Sequence, residues 1–464
     1  VTNWIPDRNE LSPPLHESLA KAIVQAIDAG NLKEGDKLPP HRTLADELGL
    51  SVHTVSKAYD NLRRQNLIDG QIGRGSYVLH PAKADDQPFD IEERQQGTFD
   101  LSISRPVYSA LHVNRMQALL RGLEKELDPR TYLACRPNAG LPEHRKAGKI
   151  WLSKMGMNVD EEAVIVTNGV SHGMSAALSA LARQGDVVLT DMVAHHLLVS
   201  ASAYFGLQLV GVTSDEYGIL PEALEAACRE KKPKVLFLLV NATNPRAYIM
   251  PEDRRQKIAD IAEKYDLHII ENDAFGPIIE GCPPPVSTLV PQRSVYLTTL
   301  SKCTVMGLRI GYMVAPPHLF PTLIGRLMVF GWMASPLLGE IASRWVADGT
   351  AMELALWQRE QMRERHDILR EGLQGFEWVG CPTGLHVWLR LPAAWTSDHF
   401  VRYASQFNVS VAPERPFLSP NATPRNAVRL SKGSTIEIDR FRQAVFNIAR
   451  LLERPNDPLP QVLY

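Results

Sequence analysis

The sequence predicts an α/β protein in two parts. A small N-terminal winged helix-turn-helix precedes a large domain whose mainly parallel central sheet carries flanking helices and a smaller C-terminal α+β subdomain. Three observations lead there. Two short amphipathic helical patterns flank a turn at Gly49 and precede a hairpin pattern with the tip Gly73-Arg74-Gly75. From residue 99 onward, short apolar and β-branched runs alternate with helical patterns, as in strands joined by crossover helices. One of those runs, 295–300, ends in Ser301-Lys302, and a lysine rarely ends a buried strand without a partner.

At 464 residues the chain exceeds one ordinary domain and can bury a large core. A net charge of −2 with 44% hydrophobic residues describes a soluble globular protein without global basic excess, so any DNA contact must come from local placement. No apolar run approaches the roughly 20 residues that span a bilayer, and the first residues lack a charged-then-apolar signal pattern. No membrane partner and a cytoplasmic location are therefore expected. Cys135, Cys228, Cys282, Cys303 and Cys381 are scattered without metal-ligand or framework spacing, which suits a reducing compartment and no metal site. Cys303, beside Lys302, reads as a small buried filler rather than a reactive thiol.

Residues 15–29 read as an amphipathic helix with Leu15, Leu19, Ile23 and Ile27 on one face, closed by Gly30. Residues 41–48 make a second helix with Leu44, Ala45 and Leu48 inward. Ser51 can cap a third, running to about residue 65, with Val55, Ala58, Tyr59 and Leu62 facing the core. A hairpin over 67–77 follows. Such a pair of helices can send its second member into a major groove. Through GDKLPPHRTLADELGLSVHTVSKAYDNL and GRGSYV, this region resembles the winged helix-turn-helix of the GntR family of transcription regulators. The resemblance implies a DNA-binding face made by Arg42 on phosphate, Ser51, His53, Thr54 and Lys57 on the recognition helix, and Arg74 in the minor groove. Val52 stands where the family usually has arginine, and Asp46, Glu47 and Asp60 dilute the basic face. Affinity is thus expected to depend on a dimer presenting two half-sites.

The domain expectation is 1–80 for the DNA-binding head, 81–98 for a polar, charged linker and 99–464 for the large domain. Strands are expected at 164–167, 187–190, 209–212, 235–240 and 268–271, ahead of 295–300 and 308–314. Helices are expected near 170–183, 221–231 and 251–265, then a helical stretch after residue 331, a strand at 385–391 and a final helix near 436–452.

If Lys302 sits in a dry pocket, its amine can lose a proton and attack an aldehyde, which is how a lysine carries pyridoxal phosphate. Thr299 offers a hydroxyl near the same strand end, and Arg309 a planar guanidinium able to grip two phosphate oxygens. Gly169, Val170 and Ser171 stand where a strand becomes a helix, so unpaired N–H groups would face an anion. With Gly311, the run SVYLTTLSKCTVMGLRIGYMVAP resembles the lysine motif of the fold type I pyridoxal-phosphate enzymes, the aspartate aminotransferase group.

That resemblance implies a Schiff base at Lys302, Asn244 on the cofactor's 3-hydroxyl oxygen and Arg429 on the α-carboxylate of an amino compound. It also implies a carboxylate on the pyridine nitrogen. Asp273 is taken for this role because an amide cannot supply the charge, with Asn272 the alternative one residue away. Three positions depart from a working aminotransferase. His195 stands where an aromatic ring usually stacks on the cofactor, Phe275 replaces the phenol that reaches the 3-hydroxyl oxygen, and Arg246-Ala247 replaces Thr-Gly after Asn244-Pro245, adding a cation near the site.

A GntR-type head on an aminotransferase-like domain resembles the MocR subfamily of bacterial regulators. This implies a head-to-tail homodimer that binds operator DNA, with pyridoxal phosphate, alone or joined to an amino compound, as its small-molecule effector. Enzymatic turnover is expected to be weak at most. The other readings are an aminotransferase with an accessory DNA-binding head, and a sensor of the cofactor alone.

Overall fold

The computed structural model describes residues 4–33, 35–64, 67–71, 75–78, 98–433 and 437–453. The chain divides into two compact units, residues 1–93 and 94–464.

In the first unit, helix α1 (Leu15–Asp28) packs on α3 (Val52–Arg64), with α2 (His41–Leu48) against α3. Leu19, Ile23, Leu44, Val55, Ala58 and Leu62 are buried, as helical spacing requires. Burying each large aliphatic side chain contributes about 1.5–3 kcal/mol, enough for a few of them to hold so small a unit. Gly49 ends α2 in the left-handed conformation, φ 60°, which is what the turn between the helices needs. Tyr59 is buried and donates to the Pro39 carbonyl at 2.8 Å, which fixes the segment entering α2. Strands β1 (Ile68–Gln71) and β2 (Gly75–Val78) pair antiparallel as the wing. The tip residues Gly73 and Arg74 lie outside the described residues, as does most of the expected linker.

The second unit has two main sheets. The larger contains β4 (Val164–Thr167), β5 (Val187–Asp191), β6 (Gln208–Val212), β9 (Val235–Leu238), β10 (His268–Asn272), β11 (Ser294–Thr299) and β12 (Gly311–Val314). Its order is β4-β12-β11-β10-β9-β5-β6, and only β12 runs antiparallel to its neighbours. Nearly every residue of these strands is buried, because helices cover both faces of a parallel sheet. A two-stranded hairpin, β7 (Ser214–Asp215) with β8 (Gly218–Ile219), follows β6. Expected and observed strands agree to within a few residues, except that 308–310 forms a turn that carries Arg309 instead of opening the next strand.

The smaller sheet has the order β13 (Trp378–Gly380), β14 (His386–Arg390), β16 (Ala427–Ser431), β15 (Val409–Pro413), β3 (Phe99–Leu101). The last helix, Ile438–Glu453, buries Phe441, Val445 and Ile448 against this sheet. The start of the large unit thus belongs to the C-terminal subdomain, a long-range pairing that periodicity cannot reveal. Among the described residues no single helix is long and apolar enough to cross a membrane, and no group of residues is arranged to hold a metal.

Candidate functional site

Strand β11 is buried throughout and delivers Ser301 and Lys302 just beyond its end. Lys302 Nζ donates to the Ser104 carbonyl at 2.7 Å, while part of the side chain stays open to the pocket. Burial, then the Arg429 and Arg309 guanidinium groups, lower its pKa to about 8. Roughly a tenth of the amine is therefore neutral near pH 7, a far larger share than for an unperturbed lysine.

Opposite the lysine, helix Gly169–Leu181 begins at Asn168 without a side-chain cap, so its first N–H groups and its positive dipole end are available to an anion. Arg309 adopts the left-handed conformation, φ 48°, and its Nη2 lies 3.0 Å from where a Cβ on Gly169 would stand. Gly169 itself has φ +73°, so a side chain there would strain the backbone as well as crowd Arg309. Arg309 makes no hydrogen bond or ion pair among the described residues. An uncommitted guanidinium beside an uncapped helix start is a receptor for a multiply charged oxyanion. Val170 and Ser171 follow Gly169 in that first turn. The Thr299 hydroxyl is less free than the sequence suggests: it lies 2.7 Å from the Ile310 carbonyl and accepts from Ser301 N–H at 3.1 Å, so it must rotate to meet an anion.

The smaller sheet closes the other side. Arg429, on β16, is buried and donates from Nη1 to Asn244 Oδ1 at 2.7 Å and from Nη2 to the Ser102 carbonyl. Its guanidinium lies over the Phe417 ring at 5.1 Å, and its Nε is buried without a partner. His195 Nδ1 is likewise buried and unpartnered, and burial, with the positive charges of Lys302 and Arg429, pushes the imidazole down to about 3. His386, on β14, lies 3.0 Å through Nε2 from the Thr243 carbonyl and is pushed down to about 3 by burial and then Arg429. Phe275 is buried with its ring 5.9 Å from Lys302 Nζ and edge-on to His386. Both imidazoles are thus neutral, and the charges acting on Lys302 are cationic.

Two sequence expectations are corrected here. Successive side chains of a strand point to opposite faces. Asn272 pairs with Leu297, whose Cδ2 lies 2.7 Å from the Cβ position of Gly173 in the Gly169 helix, so Asn272 shares the face of that helix and of Thr299. Asp273 takes the opposite face. Its Oδ2 accepts from the Tyr296 phenol at 2.7 Å and its Oδ1 from Asn241 Nδ2 at 3.1 Å, and it lines a separate cavity of about 330 Å³ with Trp151, Cys282 and Arg359. Asp273 is therefore turned away from the lysine pocket. Arg246 is not a cation of the site either: it pairs with Asp191 at 3.1 Å, donates to Ser214 Oγ at 2.8 Å and lies over the Tyr248 ring. Cys303 is buried and its thiol is pushed up by burial, as befits a filler.

Sequence reading missed Ser104, Ser102, His386 and Phe417. None stands at a diagnostic spacing. Only the antiparallel pairing of β14 with β16 brings His386 opposite Ser431, two residues from Arg429.

In the first unit, Ser51 Oγ accepts from Thr54 N–H at 3.1 Å and lies 2.8 Å from the Thr54 hydroxyl, so it caps α3 as expected. Arg42, Val52, His53 and Lys57 are exposed, and Thr54 is half-buried. His41 Nδ1 lies 3.0 Å from Ser56 Oγ, which ties α2 to α3 and fixes the angle at which that face is presented.

Comparison with known proteins joins these two descriptions. Residues 97–445 match the family model for aminotransferase class I and II. The chain belongs to the aminotransferase class I and II family. Residues 15–78 match the bacterial regulatory proteins of the gntR family, so a gntR-type head is fused to the aminotransferase domain. The HTH-type transcriptional regulator YdeF of Bacillus subtilis is 26% identical over 452 residues, covering 97% of each chain. The HTH-type pyridoxine biosynthesis transcriptional regulator PdxR of Corynebacterium glutamicum is 26% identical over 367 residues, covering 76% of this chain and 78% of that one. Among solved structures, an archaeal alanine:glyoxylate aminotransferase superposes with a TM-score of 0.71 at 24% identity, covering 77% of this chain and 91% of its own. The α-aminoadipate aminotransferase LysN of Thermus thermophilus gives 0.70 at 21% identity, covering 78% and 93%.

Pyridoxal phosphate is the cofactor of this aminotransferase family, and the pocket fits it on three counts. The lysine amine loses its proton readily, the Gly169 helix start faces an uncommitted Arg309, and Arg429 keeps a buried N–H without an acceptor.

Proposed function

We propose that this protein is a DNA-binding transcriptional regulator that holds pyridoxal phosphate at Lys302 and reads an amino compound beside it. The observation that carries the reading is the presence, on one chain, of a gntR-type head and a pocket equipped to receive a phosphorylated aldehyde but altered where turnover is tuned. Pyridoxal phosphate supplies an aldehyde that condenses with a neutral primary amine. Lys302 provides that amine as the Schiff-base residue. The N–H groups of Val170 and Ser171, with Arg309 and a rotated Thr299, hold the phosphate. Asn244, its Oδ1 committed to Arg429, offers its amide N–H to the phenolic oxygen. His195 and Phe275 supply ring surface against the cofactor, and Arg429 grips the carboxylate of the amino compound.

In the head, His53, Thr54 and Lys57 enter the major groove, Arg42 and Ser51 meet phosphates, and Arg74 reaches the minor groove. A homodimer, arranged head to tail, would present two heads to two half-sites. Exposed Tyr132 and Leu133, with exposed Trp332 tied through its Nε1 to the nearby Cys135 carbonyl at 2.9 Å, support a self-association surface. Effector and DNA are coupled only as far as the effector binds two dimer geometries with different affinity.

The aminotransferase alternative draws on the readily deprotonated lysine; Phe275 opposes it because it has no phenol to tune proton transfer. The test is absorbance of the purified protein with added cofactor, alongside operator affinity during titration with amino acids. A visible band lost in Lys302→Ala, shifting with one amine in step with operator affinity, is expected. A response that survives Arg429→Ala would make the cofactor alone the signal. Rapid conversion of the amine would make the protein an enzyme.

A further inference from the structure

We propose that Asn272 is the group that meets the ring nitrogen of the cofactor, and that this amide makes the pocket a receiver of amines that does not transfer their nitrogen. The inference rests on the cofactor reading above.

In the pyridoxal ring the phosphate arm and the aldehyde sit on neighbouring carbons, and the ring nitrogen lies across the ring from the aldehyde-bearing carbon. With the phosphate at the Gly169 helix start and the aldehyde at Lys302, the nitrogen would point along the face of the sheet that the Gly169 helix covers, toward a strand beside β11. Of the two strands beside β11, β12 opens on this face with Gly311, which has no side chain to offer, and β10 ends on it with Asn272. Asn272 is buried. Its Oδ1 accepts from Ala274 N–H at 3.3 Å, and its Nδ2 has no partner among the described residues. An orphaned amide donor on the cofactor face is suited to the lone pair of an unprotonated ring nitrogen, and it carries no charge with which to hold a proton there.

The surroundings act in the same direction. The charges that act on Lys302 are Arg429 and Arg309, both positive. The two flanking acids are spent on the opposite face, Asp273 on Tyr296 and Asn241 and Glu271 on Ser287. An amide in place of a carboxylate at that position leaves the ring nitrogen without the negative charge that would stabilise a pyridinium. An unprotonated ring is a weak electron sink, so loss of the proton from the α-carbon of a bound amino acid gains little help. Exchange of amines at the aldehyde needs no such sink. The amino compound then stays intact while it is read, which suits a signal better than a substrate.

The experiment loads the full-length protein with pyridoxal phosphate labelled with nitrogen-15 in the ring and records the ring-nitrogen resonance. A pyridine-type resonance is expected in the wild type. Asn272→Asp is expected to move it to the pyridinium position and to raise amino-group transfer from an amino acid to the cofactor, with water supplying the oxygen of the keto acid, by roughly 100-fold. Asp273→Asn is expected to leave the resonance in place. A pyridinium resonance in the wild type overturns the inference alone, and that measurement needs no variant to fold. A resonance that moves in Asp273→Asn, or stays in a folded Asn272→Asp, does the same. Failure of the wild type to retain the labelled cofactor through Lys302 overturns the site reading and this inference with it.

Discussion

The head and the lysine pocket solve opposite problems. In the head, Leu19, Ile23, Val55 and Leu62 form the core while Arg42, His53 and Lys57 stand in water, so the groups proposed to meet DNA cost the fold little. In the pocket, Lys302 is buried under two positive charges, Arg429 and Arg309, while the Asp100 carboxylate acts on Arg429. Burial and mutual repulsion depress the lysine, and burial also lowers Arg429 to about 10. The difference teaches where each region keeps its specificity. The head is finished before it meets its partner; the pocket carries charges and orphaned N–H groups that an anionic ligand would complete.

The largest expected effect of that contrast is on pH. The neutral amine is the reactive form, so cofactor capture by the apo-protein should rise with pH and level off above about 8, where an unperturbed lysine would level off near about 10.4. Stopped-flow absorbance of apo-protein mixed with pyridoxal phosphate across pH measures this. A plateau at the ordinary lysine value would mean that burial and the two arginines do not act on Lys302 as the structure indicates.

Ligand binding should then separate the units energetically. A ligand at a hundredfold excess over its Kd stabilises the native state by about 2.7 kcal/mol. Thermal unfolding with and without pyridoxal phosphate should move the transition of residues 94–464 by that amount and leave the head's transition where it was. Equal movement of both transitions would break the comparison, because the head would then share in completing the pocket.

These contrasts also explain what the sequence could disclose. The helices of the head and the buried strands of the large sheet were legible because helical spacing and apolar runs are local signals, as at Leu44-Ala45-Leu48 and Val164–Thr167. Lys302, Thr299 and Arg309 were legible because one strand and the turn after it carry all three. What was lost depended on direction or distance. Asp273 was preferred over Asn272 on charge, whereas the alternation of β10 decides which of them faces the Gly169 helix. Arg246 reads as a site cation from sequence alone, but Asp191, 55 residues away, holds it. His386 and Phe417 reach the pocket only through packing of the smaller sheet against the larger one's loops.

The smallest effect tests the head's side of the comparison. Ser51 both caps α3, through Thr54 N–H, and stands at the start of the proposed DNA-facing helix. Loss of a serine cap costs about 1 kcal/mol, so Ser51→Ala should lower the stability of the head by that much and leave cofactor absorbance unchanged. Ser51→Asp separates the two roles. Aspartate caps a helix as well as serine does and its charge favours the positive dipole end, so stability should return. The same charge would face DNA phosphates, so operator affinity should stay below wild type and fall less steeply with added salt. If stability and affinity recovered together, Ser51 would act only as a cap, and the proposed contact surface would shrink to Arg42, His53, Thr54, Lys57 and Arg74.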